Sequence, residues 1–204
     1  MPSASLLRRA AKKIGKIGPV AKITGLQTGH WSRIVMRREM DRMILAAHPE
    51  LLDALEISGS FGERYPFRRY VSLHFPEFDL CEDPVPSGFS MIIAEQVFEH
   101  LLWPYRAGRK VYEALEPGGF FWISTPFLVR VHDGPDDCTR WTPTGMRYFL
   151  AECGFGLEEI EVGSWGNRAC VEANFRDWTP YRSRLHSLEN EPLFPYHVWA
   201  LARK

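Results

Sequence analysis

Leu52 to Gly62 reads L-D-A-L-E-I-S-G-S-F-G. A short apolar run ends on an acid, Glu56, and a turn of small residues (Ser58, Gly59, Ser60, Gly62) follows it. That order suits the first, buried strand of a nucleotide-type α/β sheet. The acid sits at the strand's carboxyl end and the small residues let the backbone approach a ligand. The run lacks a full three-glycine fingerprint, and Gly/Ser turns also follow strands that bind nothing. Its meaning therefore depends on what comes next.

Only seven residues, Glu63 to Arg69, separate Gly62 from the apolar stretch Tyr70–Leu73, and Pro66 interrupts them. A whole βαβ crossover needs at least about 10–12 residues, so a full crossover helix does not fit comfortably. A pyrophosphate cofactor profits from a helix N-terminus beneath its charge. Without that helix an NAD(P)-dependent oxidoreductase is disfavoured, whereas a cofactor lacking phosphate loses nothing.

The chain then alternates. Tyr70–Leu73, Phe78–Leu80 and Ser90–Ala94 read as the second, third and fourth strands. A helix with Pro104 in its first turn presents Ala107, Val111, Ala114 and Leu115 on one face. Phe120–Ser124 is a strongly apolar fifth strand. Thr142 and Pro143 open another helix, lined by Met146, Phe149, Leu150 and Cys153 and ended by Gly154. Leu157–Val162 and His197–Ala202 supply the last two strands. This predicts an α/β fold: a Rossmann-like, mostly parallel, seven-stranded sheet with helices on both faces. An N-terminal helical extension over 1–50 precedes a domain over 51–204. Within the extension, Met36, Met40, Met43, Ile44 and Ala47 mark one face of a helix from about Ser32 to Ala47, stopped by His48-Pro49.

Apolar content of 45% and charged content of 25% are those of a soluble globular protein. Four scattered cysteines without metal-like spacing fit a reducing cytoplasm. The zero net charge hides an asymmetry: Met1 to Arg38 carries nine Lys/Arg and no acid. A short basic amphipathic helix there can lie on an anionic membrane surface. A solvated tail docking on the acidic body fits the same residues. The acidic body, with no basic, aromatic-interleaved strip, argues against nucleic acid as substrate.

Four stretches, in order, carry a family resemblance. They are L-E-I-S-G-S-F-G, then S-M-I-I-A-E-Q-V-F-E-H-L, then A-L-E-P-G-G-F-F-W-I-S-T-P-F, then H-D-G-P-D-D-C-T-R-W-T-P-T-G-M-R-Y-F-L-A-E-C-G-F. From about Leu52 to Lys204 the chain resembles a class I S-adenosylmethionine-dependent methyltransferase of the "methyltransferase type 11" group. The resemblance implies S-adenosylmethionine as cofactor and a small-molecule, glycan or lipid acceptor, with methylation on oxygen expected. Glu56, Ser58, Gly59, Ser60 and Gly62 would line the methionine part, and Asp83 the adenine amino group. Glu95 and Gln96 would face the sulfonium and amino-acid end, and His74 stands where an acid usually holds the ribose. Ser58 and Ser60 replace two glycines of the pattern. These departures leave open a methyltransferase-like binding or scaffold protein that has lost turnover.

Candidate bases lie on loops at the strand carboxyl ends. His100 follows the fourth strand, where it can act as a base or cap the turn into the next helix. His132, with Asp133, Asp136, Asp137 and Arg140, forms a polar loop that fits either a base beside carboxylates or Asp–Arg pairing that orders the loop. Catalytic candidates are therefore His132, His100 and Asp136. One His among Asp residues is not a specific metal pattern, and no metal is expected. The connection from Gly163 to Tyr196 is long and aromatic. Trp165, Phe175 and Trp178 can wall an acceptor pocket, with Asn167 and Arg168 as polar contacts and Arg140 of the polar loop as a further substrate-binding candidate, or the aromatics can bury an extra helix near Ala169–Trp178.

Overall fold

In the computed structural model, which describes residues 29–132 and 134–204, six strands form one sheet. They are β1 (Asp53–Ile57), β2 (Arg69–Leu73), β3 (Phe89–Glu95), β4 (Leu115–Pro126), β5 (Ile160–Trp165) and β6 (His197–Arg203). The spatial order is β2-β1-β3-β4-β6-β5. Pairings β1–β2, β1–β3 and β3–β4 are parallel. Pairings β4–β6 and β5–β6 are antiparallel.

Two expectations are corrected. Among the described residues the sheet has six strands rather than seven, and its β5/β6 side is antiparallel, so it is a mixed sheet. The missing strand is Phe78–Leu80. There the Asp83 carboxylate accepts from the Asp79 amide at 2.7 Å and the Asp79 carboxylate from the Cys81 amide at 2.8 Å. The Asp83 amide in turn donates to the Asp79 carbonyl at 2.7 Å. Local carboxylate bonds supply the partners a strand ladder would have given, and the segment turns instead of extending.

Strand side chains alternate between two cores. Leu55, Ile57, Ile92, Ala94, Phe121, Ile123, Val198 and Ala200 face one side. On it lie α2 (Pro104–Ala114) and α3 (Pro143–Glu152), through Ala107, Val111, Met146, Phe149 and Leu150. Ala54, Met91, Ile93, Trp122 and Trp199 face the other side. It is covered by α1 (Arg33–Ala46), with Met36, Met40, Met43 and Ile44 buried, and by α4 (Arg168–Ala173). The period of two along strands and the 3.6-residue spacing along helices thus predict both faces. Thr142 caps α3, its hydroxyl accepting from the Gly145 amide at 3.0 Å.

Between β1 and β2 lies only a short 3-10 turn, Phe61–Arg64, as the residue count required. The basic segment of residues 1–28 and the readings made on it lie outside the described residues. No helix among the described residues is long and apolar enough to cross a membrane.

Candidate functional site

The parallel half of the sheet ends its strands together. Glu56 pairs with Ile93, so the turn after β1 and the Glu95–Gln96 corner after β3 lie level at one edge. Both corners are held in left-handed backbone, Ser58 at φ 54° and Gln96 at φ 56°. Non-glycine residues rarely hold that conformation, and strain of this kind concentrates at ligand clamps.

Glu56 is fully buried and its carboxylate is consumed beneath the turn. It accepts from the Phe61 amide at 3.0 Å, the Gly62 amide at 2.6 Å and the Tyr70 hydroxyl at 2.7 Å. A Cβ at Gly59 would stand 2.0 Å from Glu56 Oε1. One at Gly62 would meet the Tyr70 ring at 2.4 Å. These glycines are therefore required by the acid below the turn. The Gly59 and Ser60 amides make no bond among the described residues and are left to a ligand or water. Gly59 carbonyl accepts from Ser72 Oγ at 2.5 Å. Exposed His74 Nε2 lies 3.0 Å from that same hydroxyl.

Glu95 is buried beside Arg33 at 3.5 Å. Burial raises its carboxyl above the usual range, while Arg33 and Arg37 pull the other way. Gln96 amide donates to the Ser124 carbonyl at 2.9 Å.

Next to Gln96 a cavity of about 680 Å³ opens over the ends of β3, β4 and β6. Its walls include Arg33 and Arg37 from α1, Gln96, Glu99 and His100 after β3, and His132. His30, Trp178, Tyr196 and His197 complete its far side. Several buried polar atoms here have no hydrogen-bond partner among the described residues: Glu95 Oε1 (which has only the ion pair with Arg33), Glu99 Oε2, Arg37 Nε, the Tyr196 hydroxyl and His197 Nδ1. Buried polar groups are normally satisfied, so this concentration marks a place built to receive a polar ligand.

His100 Nδ1 donates to the Asp136 carbonyl, leaving Nε2 free, 3.6 Å from Glu99 Oε1. His132 Nδ1 faces Asp137 Oδ2 at 3.2 Å and the Arg140 guanidinium at 3.5 Å. A guanidinium only donates, so the hydrogen bond at Nδ1 from Arg140 makes this nitrogen an acceptor, while the Asp137 carboxylate accepts from the His132 backbone amide at 2.9 Å. Desolvation lowers the His132 pKa, opposed by Asp137. Burial pushes the Glu99 carboxyl up to about 8. His197, buried among Arg33, His30 and Arg37, is held well below the ordinary imidazole value, chiefly by desolvation. The two imidazole rings of His100 and His132 stand edge-on, 5.2 Å apart.

Of the residues expected from sequence, the fold brings His100, His132, Gln96 and Trp178 to the cavity. Glu95 lies directly beneath it, paired with the lining residue Arg33. Trp178 is half-exposed with Arg130 over its ring at 4.7 Å. Others are placed differently. Trp165 is buried in the core and donates to the Leu188 carbonyl at 2.9 Å. Asn167 caps α4 by accepting from the Cys170 amide at 2.8 Å and ties down the Ser187 and Glu189 carbonyls. Neither reaches the acceptor cavity, because both are spent closing the β5–α4 corner. Arg140 is committed to Asp137 in a two-toothed ion pair. Asp136 meets His100 through its carbonyl, with its own side chain turned to solvent. Asp83 is tied into its own turn.

Sequence reasoning missed His30, Arg33, Arg37, Glu99, Tyr196 and His197. Two signals were present: Arg33 and Arg37 share a helix face at i,i+4, and Glu99 directly precedes His100. His30 reaches the site because its Nε2 bonds Asn174 Oδ1 at 2.9 Å, which clamps the start of α1 to the end of α4.

No family model matches the sequence, and no curated protein matches it by sequence. Solved structures do match in shape. An S-adenosylmethionine-dependent methyltransferase from Mesorhizobium loti, 18% identical, superposes with TM-score 0.51 over 80% of this chain and 96% of its own. Another from Archaeoglobus fulgidus, 10% identical, gives 0.55 over 83% and 94%. Phosphoethanolamine N-methyltransferase 2 of Haemonchus contortus, in complex with S-adenosyl-L-methionine, gives 0.52 at 12% identity, over 81% of this chain and 52% of its own. The chain has the class I S-adenosylmethionine-dependent methyltransferase fold.

Proposed function

We propose that this protein is an S-adenosylmethionine-dependent methyltransferase acting on the hydroxyl of a small polar acceptor, a free small molecule or a glycan or lipid intermediate. The observation that carries the reading is the junction at the sheet edge. The strained Ser58 and Gln96 corners adjoin a cavity of about 680 Å³ whose wall is crowded with unpartnered polar groups. Ligands of open α/β sheets bind outside the carboxyl ends of the strands.

The residues present fit the cofactor's charges. Its carboxylate needs N–H donors, which the free Gly59 and Ser60 amides supply. Its ammonium needs an anion, which Glu95 supplies from below the cleft. His74 and Ser72 stand at the end of β2, where the ribose hydroxyls would find hydrogen-bond partners. Glu56 holds the turn in shape from beneath rather than touching ligand. When bound, S-adenosylmethionine supplies a methyl carbon already activated by its sulfonium.

The protein's own contribution is then mostly proximity and orientation. Arg33 and Arg37 give the acceptor cavity a cationic wall, favouring acceptors that carry a carboxylate or phosphate beside the hydroxyl. Trp178, its ring 5.3 Å from that of His30, lines the outer side as an apolar surface for the acceptor. The lone pair on His100 Nε2, whose Nδ1 donates to the Asp136 carbonyl, is a group to which an acceptor hydroxyl can lose its proton, and it supports oxygen as the methylated atom.

Calorimetric titration with S-adenosylhomocysteine tests the proposal. One-site binding is expected, weakened at least tenfold in Gly59→Val, where the branched side chain collides with Glu56. The absence of heat from folded protein, together with binding of reduced nicotinamide, would overturn it.

A further inference from the structure

We propose that Glu99, His100 and His132 form a binding site for one divalent transition-metal ion at the floor of the acceptor cavity. The sequence expectation of no metal weighed His132 against its own loop acids, not against the Glu99-His100 pair that the fold sets beside it. One ligating atom from each of the three residues lies within 4.8 Å of the other two. Ligands on one ion at about 2.0–2.2 Å stand closer than this, so the rings and carboxylate draw in around it.

Three independent features mark a built site. Glu99 is 1% exposed, yet its Oε2 has no hydrogen-bond partner among the described residues. Each histidine is held by a second group: the Asp136 carbonyl at Nδ1 of His100, and for His132 the Asp137 carboxylate, which accepts from its backbone amide at 2.9 Å and lies 3.2 Å from its Nδ1. Ligating histidines are held in this way, by outer partners that orient them. Finally, the two segments are joined by backbone: the Cys138 and Thr139 amides donate to the Glu99 carbonyl at 2.8 and 3.2 Å. The Asp137–Arg140 ion pair braces the loop behind His132.

Two imidazoles and one carboxylate suit Zn²⁺, Fe²⁺, Co²⁺ or Mn²⁺ better than Mg²⁺ or Ca²⁺, which prefer all-oxygen ligands. Three protein ligands leave coordination positions open, and these face the cavity. The role follows from the proposed methyl transfer and rests on it. An acceptor hydroxyl bound to the ion loses its proton to solvent near neutral pH. As its oxygen bonds the methyl carbon, the carbon–sulfur bond breaks and its electron pair stays on sulfur, leaving a thioether. With the ion bound, His100 and His132 are its ligands, and the hydroxyl loses its proton through the ion in place of direct transfer to His100.

The test uses the full chain, stripped with a chelator and titrated with Co²⁺. Visible ligand-field bands saturating at one equivalent, abolished by Zn²⁺, are expected. Co²⁺ affinity should fall at least tenfold in Glu99→Gln and in His132→Ala. It should fall about 10–100-fold in Asp137→Asn, which changes no ligand but weakens the support behind His132 and its ion pair with Arg140. His48→Ala, at an exposed histidine remote from the cavity, should leave the bands unchanged. No bands, or bands that persist in both His132→Ala and Glu99→Gln with folded circular dichroism, would overturn the site. S-adenosylhomocysteine binding without Co²⁺ binding sinks the metal site alone. Co²⁺ binding without S-adenosylhomocysteine binding sinks only the cofactor reading.

Discussion

Replacing Glu56 isolates what the acid beneath the first turn does. Its Oε1 accepts from the Phe61 amide, and its Oε2 accepts from the Gly62 amide and the Tyr70 hydroxyl. Glu56→Ala strands all three donors, two of them backbone amides that cannot move away. A buried donor left unpaired costs about 1–3 kcal/mol. With Phe61 and Tyr70 half-buried and partly rescued by water, the sum is roughly 3–6 kcal/mol. That is a large share of the ~5–15 kcal/mol that holds a domain folded. Glu56→Gln keeps one oxygen, which can serve Gly62 and Tyr70 together, but points an NH₂ at the Phe61 amide. Its cost is about 1–3 kcal/mol. Tyr70→Phe removes one donor and costs about 0.5–1.5 kcal/mol. Urea denaturation followed by tryptophan fluorescence gives the ranking directly. At an m-value of about 2–3 kcal/mol/M, Glu56→Ala lowers the midpoint by roughly 1–3 M. Equal losses for Ala and Gln, or an Ala variant within about 0.5 kcal/mol of wild type, would refute the assignment of Glu56 as the turn's internal anchor.

Three further outcomes follow from the packing and the titrating groups. Gly108→Ala places a Cβ 2.4 Å from Cys153 Sγ and 3.1 Å from the Phe149 ring at the α2–α3 contact. Overpacking there should cost about 1–3 kcal/mol in thermal or urea unfolding. The depressed pKa of His197 means that the unfolded chain takes up a proton the folded chain refuses. Stability is therefore fully present above the unfolded value of 6.5 and is lost as pH falls below it. Urea midpoints across this range should decline toward acid, and His197→Asn should flatten the slope. Of the four cysteines, Cys138 is exposed and the other three buried, with Cys153 and Cys170 pushed up to about 12 by desolvation. A thiol reagent should find one fast equivalent in native protein and four after denaturation.

Much of the architecture could be read in the sequence, because strands and helices write their buried faces locally. The α1 methionines, the Thr142-Pro143 start of α3 and the short β1–β2 link all follow from residues a few positions apart. What escaped depended on longer range. Phe78–Leu80 has the apolar look of a strand, but Asp79 and Asp83 bind the amides on which a strand would rely. The direction of β6 is set by the 31-residue excursion from Gly166 to Tyr196, which carries no local mark of orientation. In the site, His100 and His132 were visible as histidines near strand ends. Arg33, His197 and Tyr196 were not, because only the placement of β6 beside β4 and of α1 over the sheet brings them to one cavity. Trp165 and Asn167 misled for the opposite reason. They have the chemistry of ligand contacts, but the core and the α4 cap use them completely.

The most direct test of the account is where S-adenosylhomocysteine binds. Backbone amide spectra of the labelled protein, recorded with and without this ligand, should shift most at Ser58 to Gly62, His74 and Gln96, with smaller changes at Arg33 and Arg37. Saturating ligand that leaves Gly59, Ser60 and Gln96 unmoved, or that shifts a separate patch instead, would contradict the cofactor site at the carboxyl edge of β1 and β3.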